Sequence, residues 1–138
     1  MVTKNIYITD KDMERLRELI MAAREFKKEE EKYLRELESE LNKGTIVKPQ
    51  DIPPDIITMN SEVHLLDLNT KEETTYQLVF PDQADVSRGK VSILAPIGTA
   101  LLGYSVGDII EWKVPAGVAK LKVEKIIYQP EASGEDLS

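Results

Sequence analysis

The stretch from Ile93 to Gly117, ILAPIGTALLGYSVGDIIEWKVPAG, constrains this chain more than any other segment. Ile93 and Leu94 end an apolar run. Pro96 suits a helix start, because the N–H it lacks would have no intrahelical partner there, and Ile97, Ala100 and Leu101 then share one face. Gly103 stops that helix. Val106-Gly107-Asp108 turns the chain, and Ile109 to Val114 runs extended until Pro115-Ala116-Gly117. The stretch therefore reads strand, short helix, turn, strand. It holds no catalytic motif.

From Ile56 onward the pattern is β. Glu62 to Leu68, Thr74 to Phe80, Lys90 to Leu94, Ile109 to Val114 and Ala119 to Tyr128 are expected strands, separated by turn signals at Asn69-Thr70-Lys71, Pro81-Asp82, Arg88-Gly89 and Pro115-Ala116-Gly117. Arg88-Gly89 reads as a hairpin turn. In the last strand Ala119, Leu121, Val123 and Ile127 alternate with Lys120, Lys122 and Glu124, giving one buried and one wet face. Short connections and a single helix imply a mainly antiparallel five-stranded sheet in an α+β domain over 56–130. The acidic remainder, 131–138, is expected to be a flexible tail.

The first 47 residues are helical in pattern. Ile6-Tyr7-Ile8 is β-prone, and Thr9 is placed to cap a helix, with Asp12 three residues on. Met13, Leu16, Ile20 and Ala23 form an apolar stripe. It breaks at Lys27 and Glu30 and resumes at Leu34, Leu37 and Leu41. One arrangement is an antiparallel hairpin folding back between Phe26 and Glu29, with lysines ending one helix and glutamates opening the next, as helix dipoles favour. The other is a single helix from 10 to 42, about 50 Å long, with an exposed stripe. The hairpin is preferred because the chain then covers its own apolar face. Gly44 is the expected helix cap, and 48–55, with its Pro53-Pro54 pair, the expected linker.

A net charge of −7 argues against broad attraction to a phosphate backbone, so direct DNA binding is not expected. The absence of cysteine excludes disulfides and thiolate chemistry. No signal-peptide pattern and no apolar run near 20 residues is present, so no membrane partner is expected and a cytoplasmic location is. His64, the only histidine, lies in a strand with no nucleophile or carboxylate set assignable to it, and there is no phosphate-cradling motif. Trp112 reads as a residue packed in the core or on the sheet. Glu29, Glu30 and Glu31 are candidate Mg²⁺ ligands if they project from a hairpin tip. The simpler reading is that glutamates open a helix, with Lys27, Lys28 and Lys32 competing for their charge.

DIPPDIITMNSEVHLLD from Asp51, Val79-Phe80-Pro81, LAPIGTALLGYSVGD from Leu94, the segment Trp112 to Gly117 and Tyr128-Gln129-Pro130-Glu131-Ala132 together resemble the C-terminal domain of the bacterial GreA and GreB transcript-cleavage factors. More closely they are similar to the Rnk family, regulators of nucleoside diphosphate kinase. The resemblance covers nearly all of the chain beyond residue 50. It implies an FKBP-like domain, an N-terminal helical hairpin forming a short coiled coil over 1–47, and binding to RNA polymerase at its secondary channel. Gre factors carry at the arm tip an aspartate followed three residues later by a glutamate, which help hold Mg²⁺ for RNA cleavage. This chain has Phe26-Lys27-Lys28-Glu29-Glu30 there, on helices of about 16 residues that reach roughly 24 Å. The catalytic role is therefore not carried over.

The expectation is a non-enzymatic, monomeric regulator without cofactors, whose partner is bacterial RNA polymerase and whose effect on nucleoside diphosphate kinase is indirect. Pro96, Ile97, Leu101, Tyr104, Ser105 and Asp108 are the candidate docking residues. Two other readings stand beside it: a cleavage factor presenting Mg²⁺ through its arm tip, and a direct binder of the kinase. Prolyl isomerase activity is not expected. The eight aromatics are scattered and form no pocket wall.

Overall fold

The computed structural model describes residues 6–26, 31–115 and 117–134, with only the backbone described at residues 26 and 112–114. The first described elements are β1 (Ile6–Thr9), α1 (Asp10–Phe26), α2 (Glu31–Lys43) and β2 (Gly44–Val47). The helices form the antiparallel hairpin. Met13, Leu16, Ile20 and Ala23 of α1 and Leu34, Leu37 and Leu41 of α2 are all buried in one shared core. The interrupted stripe is thus two stripes facing each other. Thr9 caps α1 as its position suggested, its Oγ1 accepting the Asp12 N–H at 3.1 Å.

Strands β1 and β2 were not foreseen as a pair. They run parallel, Ile6 opposite Gly44 and Ile8 opposite Ile46, so the helical hairpin is the crossover between two parallel strands. Gly44 is therefore not a left-handed helix cap. Helix α2 runs to Lys43 and Gly44 opens β2, where a Cβ would meet Ile8 Cδ1 at 2.6 Å. A side chain there would have to displace the tip of the buried Ile8.

The expected linker is partly built in. A 3₁₀ turn spans Pro49–Asp51, and Ile52 is buried. After it come β3 (Glu62–Asp67), β4 (Glu73–Val79), β5 (Lys90–Ser92), α3 (Pro96–Leu101), β6 (Ile109–Val114) and β7 (Gly117–Tyr128). The sheet order is β5-β4-β3-β7-β6. All pairs are antiparallel except β4 with β5, which is parallel. Arg88-Gly89 does make a local antiparallel reversal, Asp85 and Lys90 exchanging backbone hydrogen bonds at 2.9 and 3.0 Å, but it does not join β4 to β5 as a hairpin. Gly89, at φ 70°, ends a 3₁₀ turn over Val86–Arg88, one of two such turns that carry the chain back to start β5 alongside β4.

One face of the sheet is apolar, as the alternation required, except at Ile127, expected on that face but 48% exposed: register shifts between β3 and β7 change the phase, and Ile126 packs on the core instead. Val63, Leu65, Leu78, Ile110, Leu121 and Val123 are buried against α3 and the arm's root, in the same core as the hairpin. The final element corrects another expectation. Glu131, assigned to a flexible tail, lies in helix α4 (Pro130–Ser133), and Gln129 just before it is buried. No helix among the described residues is long and apolar enough to cross a membrane.

Candidate docking site and arm

Helix α3 and the turn after it are held by backbone pairing with the 55–57 segment. Ile57 N–H donates to Tyr104 O at 2.8 Å, Gly103 N–H to Ile57 O at 2.9 Å, and Val106 N–H to Asp55 O at 3.0 Å. Gly103 sits at φ 83°, and a Cβ there would collide with Ile6 Cγ2 of β1. This is how the first strand is seated against the end of α3. The turn at 105–108 closes on itself: Ser105 N–H donates to Asp108 Oδ2 at 2.7 Å and Asp108 N–H to Ser105 O at 3.0 Å.

The six candidate docking residues therefore separate. Pro96 is exposed, and Ile97, Tyr104, Ser105 and Asp108 are half-buried. Leu101 is fully buried and is removed from any docking surface, because it is the residue of α3 that anchors the helix to the core. Asp108 uses one carboxylate oxygen to cap its own turn. Tyr104 stands where the domain meets the arm. Its hydroxyl is held above the ordinary phenol range by burial, then by the charges of Glu40 on α2 and Asp108. Val106 is 40% exposed at the tip of the turn, beside Ser105; its place in VGD marks it only as a turn residue.

On the arm, Glu29 and Glu30 lie outside the described residues. Glu31 opens α2 and is engaged: Arg24 Nε donates to its Oε2 at 3.0 Å, and Arg35 Nε lies 3.5 Å from its Oε1. Arg24 also reaches Glu38, at 3.4 Å. A carboxylate between two guanidiniums has its charge already balanced, so Glu31 does not fit a Mg²⁺ ligand. Among the described residues no group of three or more histidine and carboxylate side chains converges as a metal site. His64 lies on β3 at the surface, its Nδ1 3.0 Å from Thr75 Oγ1 and its Nε2 3.4 Å from Glu73. The side chain of Trp112, on β6, lies outside the described residues.

Between arm and sheet domain lies an open cleft of about 540 Å³, lined by Arg15, Glu18 and Leu19 of α1 and by Phe80, Pro81 and Asp82. The Arg15 guanidinium stacks 4.3 Å from the centre of the Phe80 ring. The most buried polar cluster is at the arm's root: Asp12, Thr58, Ser61 and Gln129. Asp12 was read only as part of a cap. Its spacing four residues before Leu16 put it on the buried face, and that signal was available.

The arrangement is a helical hairpin whose base shares one core with a five-stranded sheet domain. Comparison with known proteins agrees with this form. Residues 40–128 match the family described as transcription elongation factor, GreA/GreB, C-terminal, and residues 4–47 match the Rnk N-terminus. The solved structure of a prokaryotic transcription elongation factor GreA/GreB from Nitrosomonas europaea superposes with a TM-score of 0.75 at 38% identity, covering 90% of this chain and 100% of that one. The chain belongs to the GreA/GreB transcription elongation factor family. It is 42% identical over 102 residues to the regulator of nucleoside diphosphate kinase of Escherichia coli strain K12, across 73% of this chain and 75% of that protein. It is also 36% identical over 95 residues to transcription elongation factor GreA of Syntrophotalea carbinolica, spanning 69% of this chain and 60% of that relative's length.

Proposed function

We propose that this chain is a non-enzymatic regulator of transcription that binds RNA polymerase near its secondary channel in the bacterial cytoplasm. The observation that carries the reading is the arm. Its first helix, α1, has 17 residues, about 26 Å at 1.5 Å per residue, and Glu31 near its tip is neutralised by Arg24 and Arg35. Such an arm suits occupying a channel better than delivering a cation to its far end. Membership of the elongation-factor family supports polymerase as the partner. Pro96, Ile97, Tyr104 and Ser105, with Val106 beside them, form the proposed contact with the polymerase rim, and the influence on nucleoside diphosphate kinase runs through gene expression.

The test is co-migration of the purified protein with core RNA polymerase on a sizing column at micromolar concentration, run in parallel with purified nucleoside diphosphate kinase. A shift with polymerase alone supports the proposal; a shift with the kinase alone overturns it in favour of direct kinase binding. With backtracked complexes, no shortening of RNA 3′ ends is expected. Shortening that disappears in Glu29→Ala plus Glu30→Ala would instead make the protein a cleavage factor.

A further inference from the structure

The root of the arm is fastened by two carboxylates that grip adjacent residues of one loop. Asp12, in the first turn of α1, is 8% exposed, and its Oδ2 accepts the Met59 N–H at 3.1 Å. The preceding residue, Thr58, donates its hydroxyl to Glu131 Oε1 of α4 at 2.7 Å. Ser61 Oγ lies 2.9 Å from that same Thr58 oxygen. A hydroxyl has one hydrogen, so Ser61 is the donor to Thr58, and the chain Ser61 to Thr58 to Glu131 ends on a negative charge. Just before α4, Gln129 sends Nε2 to both Pro53 O and Ile56 O, at 2.9 and 2.7 Å.

Helix α4 has four residues and cannot hold itself together in water, since a helix this short carries its full nucleation cost. It depends on what it is tied to: the Glu131–Thr58 bond, the burial of Pro130, and the 3₁₀ turn at Pro49–Asp51 against which it lies. We infer that α4 is a strap over the arm's root, and that ionisation of Asp12 unfastens it. With Asp12 protonated, the loop holds a single anion, Glu131. Once Asp12 ionises, two anions are gripped by neighbouring residues and repel. Glu131 is the one that yields, because it is half-buried on a one-turn helix whereas Asp12 is fixed within α1.

The charged groups facing Asp12 are Glu131 from α4 and Arg15 from its own helix; Thr9 and Met59 offer only neutral hydrogen bonds. The turn beneath α4 adds Asp51, which is exposed. Burial, reinforced by Glu131 and only partly opposed by Arg15, keeps Asp12 protonated up to about pH 6. The hinge is Gln129, whose two bonds to Pro53 and Ile56 do not involve either carboxylate.

NMR relaxation of the full chain, followed at the backbone amides of residues 131–134 from pH 5 to pH 7.5, tests this. Order parameters are expected to fall from about 0.85 to below about 0.6 across that range, with a midpoint near 6. Glu131→Gln keeps an acceptor for Thr58 while removing the repelling charge, and Asp12→Asn removes the titrating group; both should remain ordered throughout. Order parameters that stay constant in the unmodified chain would overturn the strap, as would an equal fall in both variants. Should Asp12→Asn fail to fold, the profile of Glu131→Gln decides alone.

Discussion

Among the described residues, Asp12 is the one whose titrating group is shifted furthest from its free value. Burial first, then Glu131, push its carboxyl from 3.8 up to about 6, so the folded protein holds this proton more tightly than the unfolded chain does. The stability it contributes is therefore complete below about pH 4 and lost as pH rises through 6. From pH 5 to pH 7.5 the loss is about 1 kcal/mol. Urea unfolding at those two pH values checks it: Asp12→Asn should remove that part of the pH dependence while leaving the rest. Gly103 makes a different kind of demand. At φ 83° and against Ile6, Gly103→Ala combines a left-handed backbone with a clash into β1. A loss of at least about 2 kcal/mol is expected by the same measurement. Gly103 was legible as a helix stop. Its contact with Ile6 was not, because residues almost a hundred positions apart leave no trace of their proximity in local pattern.

At the level of elements, the arm separates packing from charge. Leu37 is fully buried between the helices, and Leu37→Ala should cost about 2–5 kcal/mol in the same unfolding experiment. Arg24, which pairs with Glu31 and Glu38 near the solvent, should change stability far less when replaced by alanine, since exposed ion pairs give up little when broken. An order reversed from this would mean that charge, not the leucine seam, holds the hairpin. The strands β3 to β7 were readable almost to their ends, because period-two alternation between turn residues survives in a sheet with one wet face. Turn residues also mark the 3₁₀ turns at Pro81–Gln83 and Val86–Arg88, but not the parallel pairing of β4 and β5 that the two turns produce together. A turn signal announces a reversal; two in succession restore the original direction.

In the molecule as a whole, arm and sheet domain share one core. Ile6 and Ile8 of β1, the leucines of the hairpin and Leu101 of α3 belong to a single buried cluster with the sheet's inner face. Unfolding should therefore be a single transition, with loss of helix by far-UV circular dichroism coinciding with the change in fluorescence of the single tryptophan, Trp112. Two separated transitions would show that arm and domain are independent units. A shared core also fixes the direction in which the hairpin leaves the sheet domain.

Sequence by itself determined the apolar stripes, the helix starts at Thr9 and Pro96, the strands and the family, since each is written in residues close together along the chain. Tertiary structure alone decided that β1 pairs with β2 across the whole hairpin, that Leu101 faces inward and cannot dock, and that Asp12 and Glu131 meet on one loop. Those outcomes depend on contacts between distant segments, where the free energy of burying a residue is set by partners that its neighbours in sequence do not specify.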